Sequence, residues 1–413
     1  MTSATVTHAD PLATRLARRF EPLVLSERWR EFAGGHAVDP SHEAHLTAAI
    51  DWLARAQDST GSGGIARGYT LAWNPYFELR GWEPAYPETT GYIIPTLYAA
   101  ARRLNRPELA ERATRAAEWE CAIQLPSGAV RGGVIGQPTS PAVFNTGQVI
   151  FGWLSAHAET GEPRFALAAL AAARYLVSIL DDDGIWRRDN SRFALSHATL
   201  YNARVSWALA EVGRQLEMPA ATHAAERSLA VVASRQRANG WIPNCCLTDP
   251  GRPLLHTIAY AIRGMLEGGR VLQDSRLIDH AAKAAAAVAQ TAPSNGALAG
   301  RFDEDWQPAA AWSCLTGDAQ MAGVWLRLFE VTGDAHWLEP VVPVIRFLKS
   351  TQNRTSTDPG LRGGIKGSGP LTGGYGANET LSWATKFFAD LLLRHERVAA
   401  GRAVSADASD LLA

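Results

Sequence analysis

Six short phrases ending in glycine punctuate the chain: QDSTG at 57–61, QLPSG at 124–128, LDDDG at 180–184, QRANG at 236–240, APSNG at 292–296 and QNRTSTDPG at 352–360. Their terminal glycines, Gly61, Gly128, Gly184, Gly240, Gly296 and Gly360, lie 67, 56, 56, 56 and 64 residues apart. Self-similarity at such a period marks a repeat architecture, in which each unit buries its apolar face against its neighbours. Each glycine follows a run of helical period, RFALAALAAARYLVSIL for example. Glycine ends a helix at positive φ with little steric cost, so the phrases read as helix stops.

A second mark precedes the other helix of each unit: PETTG with Thr90, FNTGQ with Thr146, HATLY with Thr199, HTIAY with Thr257, LTGDA with Thr316 and NETLS with Thr380. A hydroxyl or amide ahead of an apolar run is a helix-start signal, because its oxygen satisfies a free N–H of the first turn. Together the marks predict helices near 42–57, 107–123, 163–180, 219–237, 275–291 and 335–352, alternating with helices near 88–103, 145–160, 198–216, 255–270, 314–331 and 379–395. The second set is apolar or small on most faces and reads as inner; the first is amphipathic and reads as outer. The fold class expected is all-α, an (α/α)6 toroid of six inner and six outer helices. The first outer helix has no inner partner before it and the last inner helix no outer partner after it, so the two close the ring. Residues 41–396 then form one domain, with an N-terminal arm at 1–40 and a C-terminal tail at 397–413.

Inner-to-outer turns are short (NRPE, TGEPR, TGDAH), whereas outer-to-inner connections are long and rich in Gly, Pro and Trp. The long loops gather at one mouth, where function is to be sought. Lys and Arg total 40 against 41 Asp and Glu, so no global field recruits nucleic acid. Four cysteines are too few for a disulfide scaffold in a chain this long. They read as reduced thiols of a cytoplasmic protein. No run of eighteen apolar residues predicts a membrane span.

All six inner helices point their N-termini at the long-loop mouth, which favours an anionic ligand. Aromatic residues crowd the same region, with Trp73, Tyr86, Tyr92, Trp306 and Trp383 as stacking surfaces for a sugar or a prenyl chain. Candidate acid–base groups are Glu88, Glu379, Asp303, Asp305, Asp318, Tyr201 and His256. Glu88 and Glu379 precede Thr90 and Thr380 on helices that become neighbours when the ring closes. Polar groups suited to holding substrate are Asn145, Gln148, Asn202, Arg204, Tyr260, Gln320, Lys366 and Lys386. The run Asp181-Asp182-Asp183 sits at a Gly-stop phrase, where solvated turn acids are ordinary.

Cys246, His256 and Cys314 form a candidate zinc site, since Cys314 follows His256 by 58 residues, about one repeat. Two thiolates and an imidazole with one open position is ordinary catalytic zinc chemistry.

The repeats, and WSCLTGDAQMAGVWLRLFEVTGD in particular, resemble the toroid shared by lanthionine synthetase cyclases, prenyltransferase and squalene-cyclase domains, and sugar epimerases and unsaturated-glucuronyl hydrolases. The resemblance covers roughly residues 40–396. YPETTGYIIPT, FNTGQVIFGW, HTIAYAIRG, SCLTGDAQMA, RGGIKGS and WATKFFAD are similar to bacterial toroid proteins associated with polysaccharide biosynthesis. The lanthionine cyclases' Cys-His-Gly phrase is replaced here by Asn378-Glu379-Thr380. Three readings follow. The chain is an enzyme of glycan metabolism acting on an anionic saccharide by hydrolysis, elimination or epimerisation. Alternatively it is a zinc-assisted or cationic transferase or cyclase of prenyl or thiol substrates. A third reading is a non-catalytic glycan-binding or assembly subunit. Its partner is a small molecule or oligosaccharide.

Overall fold

A computed structural model of the chain describes residues 21–138, 140–191, 194, 195, 197 and 199–402. Outer helices are α2 (His42–Asp58), α4 (Pro107–Ile123), α6 (Pro163–Ser178), α8 (Pro219–Arg235), α10 (Ser275–Gln290) and α12 (Val341–Thr351). Inner helices are α3 (Pro87–Leu104), α5 (Val143–Thr160), α7 (Ala203–Gln215), α9 (Leu255–Leu272), α11 (Leu315–Thr332) and α13 (Ser382–Ala399). An additional helix, α1 (Pro22–Phe32), precedes them.

Each inner helix packs on the next, α13 returns to α3, and each inner helix packs on the outer helix that follows it, with α13 pairing with α2. This is the (α/α)6 toroid expected from the repeat, closed as its ends require. Local chemistry sets the helix bounds. Pro107, Pro163 and Pro219 occupy the first helical position of α4, α6 and α8, where the missing N–H is no loss. Ser41 and Asp274 cap α2 and α10 through their side-chain oxygens. In the last unit the outer helix divides into a 3-10 turn at Ala335–Leu338 and α12. Pro340 and Pro343 supply no N–H to continue one helix there. Every residue of α5 from Val143 to Ala156 is buried, as an inner helix packed on both sides requires.

The Gly-stop phrases have a second role. Gln57, Gln124, Gln236 and Gln352 each donate their side-chain amide to a glycine carbonyl of their own turn and to a carbonyl of the next outer helix. The latter acceptors are Arg112, Ala168, His280 and His45. The last of these joins α12 to α2 across the seam. The glycine that abuts the neighbouring helix is Gly63 in the first unit and Gly363 in the last, not Gly61 and Gly360: both have positive φ, and a Cβ on Gly363 would lie 2.2 Å from Ala48 O.

The threonine marks also act differently from caps. Thr90 and Thr146 lie inside the first helical turn, donate to the carbonyls of Tyr86 and Ala142, and accept from the N–H of Ile65 and Val130 just past the Gly stops. Thr385, not Thr380, does this in α13, accepting from Ile365 and donating to Leu381. These three hydroxyls pin the first, second and last long connections to the inner helices they enter.

Short strands stand at the mouth. β1 (Gly68–Asn74) pairs antiparallel with β2 (Leu79–Trp82) and with β5 (Glu379–Leu381), in register Gly68 to Leu381, Tyr69 to Thr380 and Thr70 to Glu379. β3 (Ser313–Cys314) pairs with β4 (Ser368–Gly369). The start predicted for the last inner helix at 379 is thus a strand, and β1–β5 pairing laces the two ends of the ring together. The expected arm at 1–40 contains α1, whose Glu27 is buried against His36, Asn353 and Lys366. Among the described residues no helix is long and apolar enough to cross a membrane.

Candidate active site

A cavity of about 420 Å³ opens at the long-loop mouth, bounded by Arg67, Asn74, Tyr86, Glu88, His256 and Trp383, with Phe77, Tyr375 and Glu379. Its floor comes from the starts of inner helices and its rim from β1, the turn that follows it, the 366–381 connection and the connections that carry Gly133 and Leu247. Strand pairing places Asn74 beside Glu379, whose Oε1 accepts from Asn74 Nδ2 at 2.9 Å. Arg67 Nη1 lies 2.6 Å from Glu83 Oε2 and 3.2 Å from Glu379 Oε2. The guanidinium is sandwiched between Phe77 and Trp383, 5.2 and 4.9 Å from their ring centres. Burial opposes its charge, but the two glutamates hold its pKa above the ordinary value. For Glu83, burial raises the pKa, Arg67 pulls it back and adjoining Glu379 raises it again, leaving it above the usual carboxylate range.

Glu88 follows Pro87 in the first turn of α3, facing the cavity. The Tyr86 hydroxyl donates to its Oε2. Burial lifts the Glu88 carboxyl to about 7, against that hydrogen bond and the charges of Arg204 and Arg67. With Oε2 occupied as an acceptor, Oε1 is left to carry the proton. His256 sits opposite, its Nδ1 2.9 Å from Gln320 Oε1. Burial lowers its pKa to about 4 despite that bond, so the ring is neutral, protonated at Nδ1, with the Nε2 lone pair available. Tyr375 accepts from Trp383 Nε1 at 2.9 Å and stacks near His256, at 5.5 Å between rings.

Beneath this floor Arg204 is buried, its Nε 2.5 Å from Gln148 Oε1 and its guanidinium 5.2–5.7 Å from the rings of Phe151, Trp207, Tyr260 and Phe387. Arg204 Nη2, Gln148 Nε2 and the hydroxyls of Tyr92, Tyr201 and Tyr260 are all buried without a hydrogen-bond partner among the described residues. Burial first, and then nearby groups such as Glu88, raises the pKa of each of these phenols, so they stay protonated donors. Lys386 is neutralised in place by Asp390 at 2.5 Å and lies over Phe387 and Tyr92.

The structure thus gathers Glu88, Glu379, His256, Tyr86 and Trp383 at one cavity, with Arg204, Gln148, Tyr92, Tyr201, Tyr260, Gln320 and Lys386 around or below it. Other expected site residues lie elsewhere. Lys366 is buried in ion pairs with Glu27 and Glu31 of α1, at 3.5 and 2.8 Å. Trp306 plugs a hairpin end, bonding Asn239 O and meeting Trp241 edge-on. Asp303 caps its own turn by accepting from the N–H groups of Asp305 and Gln307, and Asp305 is exposed. Asp318 is fully buried, its carboxyl without a partner among the described residues and kept neutral by burial. Asn145 bonds Arg131 O, Asn202 bonds Asn190, and Trp73 is half exposed. Asp181 and Asp183 pair with Arg187 on the surface.

Cys246, His256 and Cys314 do not converge: among the described residues no group of three His, Cys, Asp or Glu is placed to hold a metal. Burial pushes the Cys314 thiol up to about 12. Arg67, Asn74, Glu83 and Tyr375 are the site residues that sequence reading missed. The β-alternation of GYTLAWN after Arg67 is the signal that would have placed a strand there.

Solved structures share this architecture. An unsaturated glucuronyl hydrolase specific for heparin superposes with a TM-score of 0.67 at 16% identity, covering 87% of this chain and 98% of that one. The glycosaminoglycan-degrading unsaturated glucuronyl hydrolase of Bacillus sp. GL1 gives 0.67 at 14% identity, covering 87% and 97%. That of Streptococcus agalactiae gives 0.65 at 12% identity, covering 89% and 94%. The common feature is the toroid. No protein-family model matches the sequence, and no curated protein matches it.

Proposed function

We propose that the chain is a hydrolase of an anionic saccharide, with Glu88 as the proton donor. The observation that carries this reading is a carboxyl raised to about 7 by burial, oriented by Tyr86, at the floor of an aromatic-walled cavity. A general acid is most effective with its pKa near the working pH. Trp383, Tyr86 and Phe77 offer faces on which a sugar ring stacks. The negative group of the substrate is assigned to the donors below the floor, Arg204 Nη2 with the hydroxyls of Tyr92, Tyr201 and Tyr260. Buried donors without acceptors are matched by a ligand that brings acceptor oxygens. Glu379, held by Asn74 and Arg67, and neutral His256 are placed to orient a water or a ring hydroxyl. Hydrolysis is preferred over elimination or epimerisation because the cavity holds a protonated acid, whereas its imidazole is a weak base. The unsaturated glucuronyl hydrolases that share the toroid act on uronyl saccharides, which agrees with this reading.

The test is release of reducing sugar from a panel of unsaturated-uronyl, saturated-uronyl and neutral oligosaccharides between pH 4 and 9. Turnover confined to acidic substrates and falling above about pH 7 is expected. Turnover of neutral members alone, or none across the panel, refutes the assignment.

A further inference from the structure

Helix α1 carries a face that the toroid does not use. Leu25, Trp29 and Phe32 follow one another at helical spacing and are 44%, 69% and 83% exposed, with the Trp29 and Phe32 rings in contact at 5.7 Å. The helix is not a loose arm. Val24 packs with Leu71, Ala72, Leu361 and Leu371 in a small separate core. Glu27 accepts from Asn353 and meets His36 and Lys366, while Glu31 bonds Lys366 and the N–H of Leu371. An exposed aromatic stripe is therefore presented by a fixed element.

The charges of α1 are sorted in the same way. Both acids within the helix turn inward to these partners, and Glu21 before it pairs with Arg80 at 2.9 Å. Arg28 and Arg30 are exposed beside the stripe, Arg30 reaching Glu27 only at 3.9 Å. The preceding sequence adds Arg15, Arg18 and Arg19 against one acid, Asp10. An apolar stripe flanked by arginine, with the acids withdrawn, matches an anionic interface. A second copy of α1, or the arginine-rich segment before it, would bring like charges together on this face.

We propose that the outward face of α1 is a docking surface for an anionic lipid bilayer, with Leu25, Trp29 and Phe32 entering the headgroup region and Arg28 and Arg30 meeting lipid phosphates. The inference is independent of the reaction assigned to the cavity. The full chain should sediment with vesicles of phosphatidylglycerol in phosphatidylcholine, but not with phosphatidylcholine alone, and high salt should release it. Arg28→Gln with Arg30→Gln should weaken partitioning about thirtyfold, the effect of two charges near such a surface. Leu25→Ser with Trp29→Ser and Phe32→Ser should weaken it comparably while leaving the melting temperature unchanged, since these side chains face solvent. No binding of the wild-type chain to anionic vesicles overturns the proposal, as does binding that survives both sets of substitutions. A concentration-dependent dimer abolished by the triple substitution also overturns it, assigning the face to a second copy instead.

Discussion

Glu88→Gln separates a proton donor from a structural carboxylate, because the two roles predict opposite effects on stability. The Glu88 carboxyl ionises near 4.5 in the unfolded chain and about 7 in the folded one. Between those values folding takes up a proton, so the group's contribution to stability falls as pH rises from 4.5 to 7 and stays reduced above. At about 1.4 kcal/mol per unit the full difference is roughly 3 kcal/mol. The side chain opens onto the cavity, where water relieves part of this, so about 2 kcal/mol is expected. Glutamine keeps the Tyr86 acceptor without the charge. The variant should therefore gain about 2 kcal/mol on the wild type between pH 5 and pH 8, or about 2–3 °C in melting temperature for a chain of this size. Paired thermal melts of both proteins at the two pH values cancel every other titrating group. The same variant should lose about 10²- to 10⁴-fold in turnover. A variant that is no more stable at pH 8 relative to pH 5 refutes the reasoning, because the carboxyl would then be ionised at no cost.

Arg204→Met keeps the aromatic cage filled but removes the cation, and should weaken binding of an acidic saccharide about 100-fold, within the range for losing one partner of a buried charged contact; isothermal titration into the Glu88→Gln background reads it, and unchanged affinity sinks the assignment of the anionic group. Glu120 is fully buried on α4 with both oxygens unpartnered among the described residues and its pKa driven well up by burial alone, so Glu120→Leu should raise stability at pH 8 by about 1–3 kcal/mol in urea unfolding; a loss of stability would point to a partner for this carboxyl. His42 and His395 meet at 2.8 Å across the α2–α13 seam. Burial lowers both pKa values, that of His42 to about 4. The unfolded imidazoles take up protons below about 6.5 and the folded ones do not, so stability declines as pH drops from 6.5 toward 4. His42→Gln should flatten that decline by about 1 kcal/mol, a value reduced for the half-burial of the ring, and an unaltered acid limb in melts from pH 7 to pH 4 would exclude the pair as its source.

The toroid was legible because its marks are local and repeated. A glycine next to a neighbouring helix backbone recurs once per unit and a glutamine stapling two outer helices recurs in four of the six, and spacing alone exposes them. The same marks were assigned the wrong task in places. Thr90 and Thr146 resemble caps in sequence, yet their hydroxyls serve the incoming loop, a partnership with residues 16 to 25 positions away that no local pattern contains. At the site, Glu88 and Glu379 were found from their places ahead of inner helices. Arg67, Asn74 and Glu83 were not, because their role depends on β1 pairing with a strand about 310 residues later. Lys366 and Trp306 show the converse: residue types suited to binding sugars and acids serve equally to hold α1 and to plug a hairpin.

The seam gives the protein a built-in test of completeness. Arg67, Asn74, Tyr86 and Glu88 come from the first quarter of the chain, whereas Tyr375, Glu379 and Trp383 come from its last forty residues. During synthesis the acid, its tyrosine and half the aromatic wall leave the ribosome long before the other half exists. The cavity is assembled only when the final helix docks between the first and penultimate hairpins. A chain lacking α13 would therefore lose the cavity itself along with one helix, and the proposed proton donor meets the rest of its cavity in the same step that closes the ring.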